Sequence, residues 1–226
     1  MDETETALSV GRGDGAEEVV GLLEGNRAFV DARSREDPEA FRKLARGQKP
    51  PYLLVGCCDS RKPLDVLTRS GPGRLFILRN VANLLIPGDA ATDAGLEFAL
   101  LKLGVRHVVL SGHTRCGGVE AALRGVDQGA VGRWIAPVRE LARLHQDELD
   151  EIQDYDARVD RLAELNVVAQ LENALGHPAV RARLQGEGPP LHLHGWMFRL
   201  ETGCLEPLPL PVRSWREKGL LPTQGG

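Results

Sequence analysis

Three short apolar runs constrain this chain more than any other feature: residues 52–57 (YLLVGC), 75–78 (LFIL) and 105–110 (VRHVVL), each bounded by Gly, Pro or charge. Continuous apolarity over so few residues marks strands buried on both faces, as in a parallel sheet covered by helices. Between the second and third runs, residues 89–103 (DAATDAGLEFALLKL) set Leu96, Ala99, Leu100 and Leu103 on one helical face and meet a natural stop at Gly104. Strand, helix and strand in that order make a parallel crossover unit.

Helical patterns follow at residues 117–123, 134–145 and 156–175, and then two strand-like runs at 191–200 and 204–208 joined as a hairpin by Glu201-Thr202-Gly203. Ahead of the sheet, residues 17–32 place Val20, Leu23 and Phe29 at helical spacing, and Asp37-Pro38 starts a short second helix through Phe41 and Leu44 that Gly47 and Pro50 end. Residues 1–16 lack apolar periodicity and are expected to form a mobile arm, leaving one domain over 17–226. The fold class predicted is α/β, a mostly parallel central β-sheet flanked by helices, with an N-terminal helical arm.

Charged residues make up 27% of the chain, apolar residues 42%, and the net charge is −4, so no basic surface invites nucleic acid or anionic lipid. No run of eighteen apolar residues is present, and the acidic, Gly-rich start MDETETALSVGRGDG is unlike a secretory signal, so the expectation is a cytoplasmic protein with neither nucleic acid nor membrane as partner.

Four cysteines are too few for a disulfide scaffold, and their placement points to metal chemistry. Cys57-Cys58-Asp59-Ser60-Arg61 begins where the first strand ends, and His113-Thr114-Arg115-Cys116 follows the third. Ligands of open α/β sheets bind at that carboxyl rim, so two remote segments supply one site. Cys57, His113 and Cys116 offer the thiolate and imidazole ligands that Zn²⁺ prefers, three in number as in a catalytic site whose fourth position takes water. Asp59 either fills that fourth position and closes the site or stands aside; Arg61 decides between the two by pairing its carboxylate. Cys57 or Cys116 activated by His113 as a covalent nucleophile fits the same residues, but a second thiol at hand favours metal. Cys58 and Cys204 read as structural, His192 and His194 as satisfied strand residues on one face, and His107, His145 and His177 carry no signal. Arg79-Asn80 is either solvated punctuation or part of the rim.

With those residues in place the sequence resembles the β-class carbonic anhydrases. The family's C-x-D-S-R stands at 57–61, its R-N-x-x-N at 79–83 and its G-H-x-x-C-G-G at 112–118, in the family's order, and the likeness extends from about Phe41 to Leu208, taking in Gln48, Asn166-Val167 with Gln170, and His194-Gly195-Trp196. The resemblance implies Zn²⁺ held by Cys57, His113 and Cys116, with Asp59 and Arg61 as the dyad that orients the attacking water. It further implies a pocket of Gln48, Phe76, Val81 and Phe98, with Gln48 donating to a substrate oxygen, and backbone approach at Gly117 and Gly118. Phe98 stands where plant-like members often carry Tyr, so a hydroxyl contact is not expected there.

The activity implied is reversible hydration of CO₂ to bicarbonate and a proton by zinc-hydroxide attack, in a homodimer or higher homo-oligomer whose N-terminal helix wraps a neighbour. A related zinc hydrolase of carbonyl sulfide or carbon disulfide shares the ligand motifs, and a non-catalytic zinc scaffold would keep Asp59 in the fourth position. One subtype stores bicarbonate at an allosteric site that needs a Trp where this chain has Leu54; its absence implies no such site and an open metal centre near neutral pH. Lys62 replaces the family's small apolar residue and is expected to alter the local field; Cys58 replaces the common Ser.

Overall fold

A computed structural model describes residues 15–222. By their contacts these fall into two compact units, one ending at Gly47 and one beginning at Gln48, where the sequence reading draws one domain from residue 17 onward. The arm expected over 1–16 lies outside the described residues except for Gly15 and Ala16, which open the first helix. The first unit holds α1 (Gly15–Glu36) and α2 (Ala40–Ala45), whose Phe29 and Phe41 meet edge to face at 6.2 Å. Asp37 Oδ1 accepts from Glu39 N at 3.1 Å and sets the turn between them.

The second unit runs β1 (Tyr52–Cys57), α3 (Leu64–Leu67), β2 (Leu75–Asn80), α4 (Ala90–Glu97), β3 (His107–His113), α5 (Gly117–Leu123), α6 (Gly129–Trp134), α7 (Ala136–Leu144), α8 (Gln146–Asp150), α9 (Tyr155–Gly176), α10 (Pro178–Leu184), β4 (His192–Arg199), β5 (Cys204–Pro207) and α11 (Val212–Glu217). The sheet order is β2-β1-β3-β4-β5, the first four strands parallel and β5 antiparallel to β4. The α/β expectation is met.

Its differences from the sequence reading have local causes. β3 runs on through Ser111, Gly112 and His113, which lack an apolar run but pair with Trp196, Met197 and Phe198 of β4. The helix expected over 134–145 breaks at Ile135, because Pro137 in the next turn has no amide proton to continue the ladder. The crossover helix starts at an Asp89 cap on Thr92 N (2.9 Å) and widens to a π-turn at Phe98–Lys102, a form common at functional positions.

One sheet face, with Leu53, Val55, Val108 and Leu110, is buried against α9 through Leu162, Val167 and Leu171. Gly112 lets that helix approach: a Cβ there would lie 2.7 Å from Val167 Cγ2 and 2.8 Å from Met197 Sδ. The opposite face gathers Leu54, Leu64 and Val109 under Trp196 and Leu205.

Candidate metal centre

The carboxyl ends of β1 and β3 are neighbours in the sheet, which brings Cys57 beside His113, and Cys116 caps the start of α5 one turn beyond. All three are buried, and Cys57 Sγ, Cys116 Sγ and a His113 ring nitrogen lie within 4.8 Å of one another, the sulfurs 3.9 Å apart. His113 Nδ1 lies 2.8 Å from the Thr114 carbonyl, which fixes that nitrogen as the donor and turns the Nε2 lone pair toward the sulfurs. Nε2 is buried and has no hydrogen-bond partner among the described residues. An unpartnered imidazole nitrogen facing two thiols is costly unless a cation completes it, so the donor set fits Zn²⁺.

The electrostatics point the same way. The Cys57 thiol is pushed down chiefly by the hydrogen bond from Cys116, with His113 assisting against burial; the same contact, then burial, pushes Cys116 up. The pair therefore titrates as a unit that gives up a first proton easily and holds the second until a cation takes both sulfurs.

Asp59 stands beside this triad without joining it. Arg61 Nε donates to Oδ1 at 3.0 Å, Nη2 to Oδ2 at 2.7 Å, and the Arg61 amide to Oδ1 at 2.9 Å, while Oδ2 remains 3.8 Å from His113 Nε2. The guanidinium, its largest influence, lowers the Asp59 carboxyl to about 2, so the group is ionised throughout the neutral range. Arg61 Nη2 also donates to the Arg115 carbonyl at 3.1 Å, tying the carboxylate clamp to the loop that carries two ligands. Arg115 sits in the left-handed region at φ 54°, held by Asp160 Oδ1 accepting from its amide at 2.7 Å and by an ion pair with Asp156.

Several supporting residues take contacts that the sequence leaves open. Arg79 donates to the carbonyls of Cys57 (3.0 Å), Asp59 (2.9 Å) and Lys62 (3.2 Å), pinning the whole first ligand loop, so it is far from punctuation. Asn80 closes the 80–84 turn on both sides of Leu84 at 2.7 and 2.8 Å, Asn166 donates to the Ala82 carbonyl at 2.8 Å, and Gln170 accepts from Leu85 N at 2.8 Å. Lys62 is fully buried and donates from Nζ to the carbonyls of Ser111 (2.5 Å) and Gly112 (2.9 Å), directly under His113; burial lowers it to about 7.

The pocket residues separate into two groups. Val81 lies against Gly118, where a Cβ would come within 2.6 Å of Val81 Cγ1, so the close approach belongs to Gly118, whereas Gly117 faces open space. Phe76 and Phe98 stack on each other at 5.8 Å, and Phe76 lies opposite Leu53, four residues back from the rim, roughly 13 Å along the strand from Asn80. Gln48 is exposed ahead of the amino end of β1.

Comparison with known proteins gives the same reading. A family model described as carbonic anhydrase matches residues 52–205, more than half of the chain. A carbonic anhydrase of Emericella nidulans is 40% identical over 187 residues, 83% of this chain and 82% of its own length. A chain from the crystal structures of two tetrameric β-carbonic anhydrases of Sordaria macrospora superposes with a TM-score of 0.82 at 36% identity, covering 85% of this chain and 97% of that one. A β-carbonic anhydrase of Aspergillus fumigatus does so at 0.83 and 35%, covering 91% and 100%. Those matches, joined to a buried Cys57–His113–Cys116 triad beside an arginine-clamped Asp59, show that the chain belongs to the β-class carbonic anhydrases.

Proposed function

We propose that this chain interconverts CO₂ and water with bicarbonate and a proton as a zinc-dependent carbonate dehydratase, with Cys57, His113 and Cys116 holding the metal. One observation carries the reading: the three donor atoms converge in the interior while a carboxylate beside them is held aside in a bidentate arginine pair. Bound zinc supplies Lewis acidity that makes water a nucleophile near neutral pH. Asp59 stays ionised, accepts the nucleophile's hydrogen bond at Oδ2 and orients it, and Arg61 keeps that carboxylate off the metal. Asp59 is 16% exposed and Arg61 53%, so this edge of the site gives a released proton a path to buffer. Val81, packed at Gly118, supplies an apolar wall for CO₂.

Leu54 is buried between Leu64 and Val109, which supports a centre without the bicarbonate store that needs Trp there, and so an open one near neutral pH. The working form we assign is a homodimer or larger assembly. Phe98 and Leu101 are exposed on the turn after α4, where Phe98 stacks on Phe76 of the edge strand β2, and the Sordaria relatives are tetrameric. Phe76 lies too far back along β2 to line its own triad, and Phe98 stacks on it, so in this reading the two face the site of a second copy. A cytoplasmic location goes with it on composition alone, and cell fractionation tests that. Relatives named carbonic anhydrase favour CO₂ over carbonyl sulfide or carbon disulfide as substrate, and favour an enzyme over a scaffold. The experiment is stopped-flow CO₂ hydration on zinc-quantified protein from pH 6.5 to 9. Fast turnover already present at neutral pH supports the proposal; carbonyl sulfide hydrolysis with no CO₂ hydration replaces it.

A further inference from the structure

At the amino ends of the strands, away from the rim that carries the zinc ligands, one sheet face presents three imidazoles that CO₂ hydration does not use. His107 opens β3 and pairs in register with His192 of β4, and His194 follows two residues along β4 on the same face. His107 Nδ1 and His194 Nε2 are 3.2 Å apart. The His192 ring stacks on His107 at 5.1 Å, Tyr52 of β1 flanks His107 from the other side at 5.1 Å, and Trp196 lies 6.2 Å beyond His194. His113 is six residues further along β3, on the order of 20 Å away.

We propose that His107, His192 and His194 form a second metal site, separate from the Cys57–His113–Cys116 centre, for a divalent transition cation that favours imidazole: Zn²⁺, Ni²⁺ or Cu²⁺. Two imidazole nitrogens 3.2 Å apart, each about 2.0–2.1 Å from one ion, subtend an angle of roughly 100° at it, between the square-planar and tetrahedral values. The separation of this pair is therefore already that of two ligands of one ion. His192 is exposed, so its ring can turn out of the stack on His107 to add a third nitrogen without disturbing the core. Two histidines separated by one residue on a strand necessarily share a face, and the cross-strand His107 sits beside both. Burial first, then the neighbouring imidazoles, lowers His107 and His194, with Arg106 adding to the effect at His107; these rings are neutral at neutral pH and have lone pairs to give.

The test is calorimetric titration of the zinc-loaded full chain with Ni²⁺, with zinc content measured before and after. The expected result is one further Ni²⁺ per chain in the wild type, at least tenfold weaker binding in H107Q/H194Q and severalfold weaker binding in the surface variant H192Q. Zinc content and CO₂ hydration should be unchanged in both. No additional Ni²⁺ in the wild type, or the same binding in H107Q/H194Q, overturns the proposal. Should the double variant fail to retain zinc, Cu²⁺ resonance on the zinc-loaded wild type decides: coupling to two or three imidazole nitrogens supports the site, and coupling to none or one refutes it.

Discussion

Lys62→Met tests the least expected feature of the metal centre, a lysine with no exposed surface whose Nζ is bound only to the carbonyls of Ser111 and Gly112 among the described residues. Burial lowers it from its ordinary 10.5 to about 7, opposed by the charges of Cys57, Cys116 and Asp59. Because the folded value lies below the unfolded one, the unfolded chain binds more protons between pH 7 and 10.5, and stability must rise with pH across that window. The full fall corresponds to ~5 kcal/mol, and the part that develops between pH 6.5 and 9 is about 2.5 kcal/mol. The two accepting carbonyls favour the ammonium and reduce these magnitudes, whereas zinc on the Cys57 and Cys116 sulfurs offsets the charges that favour it and acts the other way. Met keeps the length of the stem and removes the proton, so the wild-type chain should gain on the order of 2.5 kcal/mol relative to K62M as pH goes from 6.5 to 9. Urea unfolding of both zinc-loaded proteins at matched concentration measures it, since groups common to the two cancel in the difference. A wild-type-minus-variant difference that stays flat over that range would refute the reasoning and mean that the carbonyls alone keep Lys62 near its ordinary value.

Asp59→Asn should retain one zinc per chain and lose on the order of 10²-fold or more in CO₂ hydration near neutral pH by stopped flow, because the amide cannot accept as the carboxylate does; unchanged turnover removes Asp59 from the mechanism. Cys116→Ala should weaken zinc, in chelator competition, by more than the 10–100-fold typical of losing a supporting partner, and full occupancy under competition means a different ligand set. Gly118→Ala forces a Cβ to within 2.6 Å of Val81 Cγ1 and should cost about 1–3 kcal/mol in urea unfolding together with a loss of activity; a neutral result means that Val81 and the 81–83 turn yield freely.

Much of the site is legible because its residues must sit where strands end. Cys57 closes an apolar run, and His113 with Cys116 follows one, so the sheet's own geometry joins them. Arg61 is legible for the same reason, being two residues from the carboxylate it clamps. What escapes the sequence are choices made by tertiary neighbours. Ser111 and Gly112 become strand only because β4 lies alongside, and Arg79 acquires its role from three carbonyls contributed by a loop some twenty residues earlier. Lys62 looks like a surface charge until packing under β3 buries it. The short helix α10 carried a readable signal, Pro178 just after a His177 cap, that apolar periodicity over seven residues does not reveal. The cross-strand contact of His107 with His194 depends on register, which periodicity alone does not supply.

X-ray absorption at the zinc edge of the metal-loaded protein at neutral pH tests the central claim most directly. The account predicts two sulfur ligands, one imidazole nitrogen and one light oxygen from water, with the same sulfur count in D59N. A carboxylate oxygen in place of water, lost in D59N, would contradict it by showing that Asp59 closes the centre despite its pairing with Arg61.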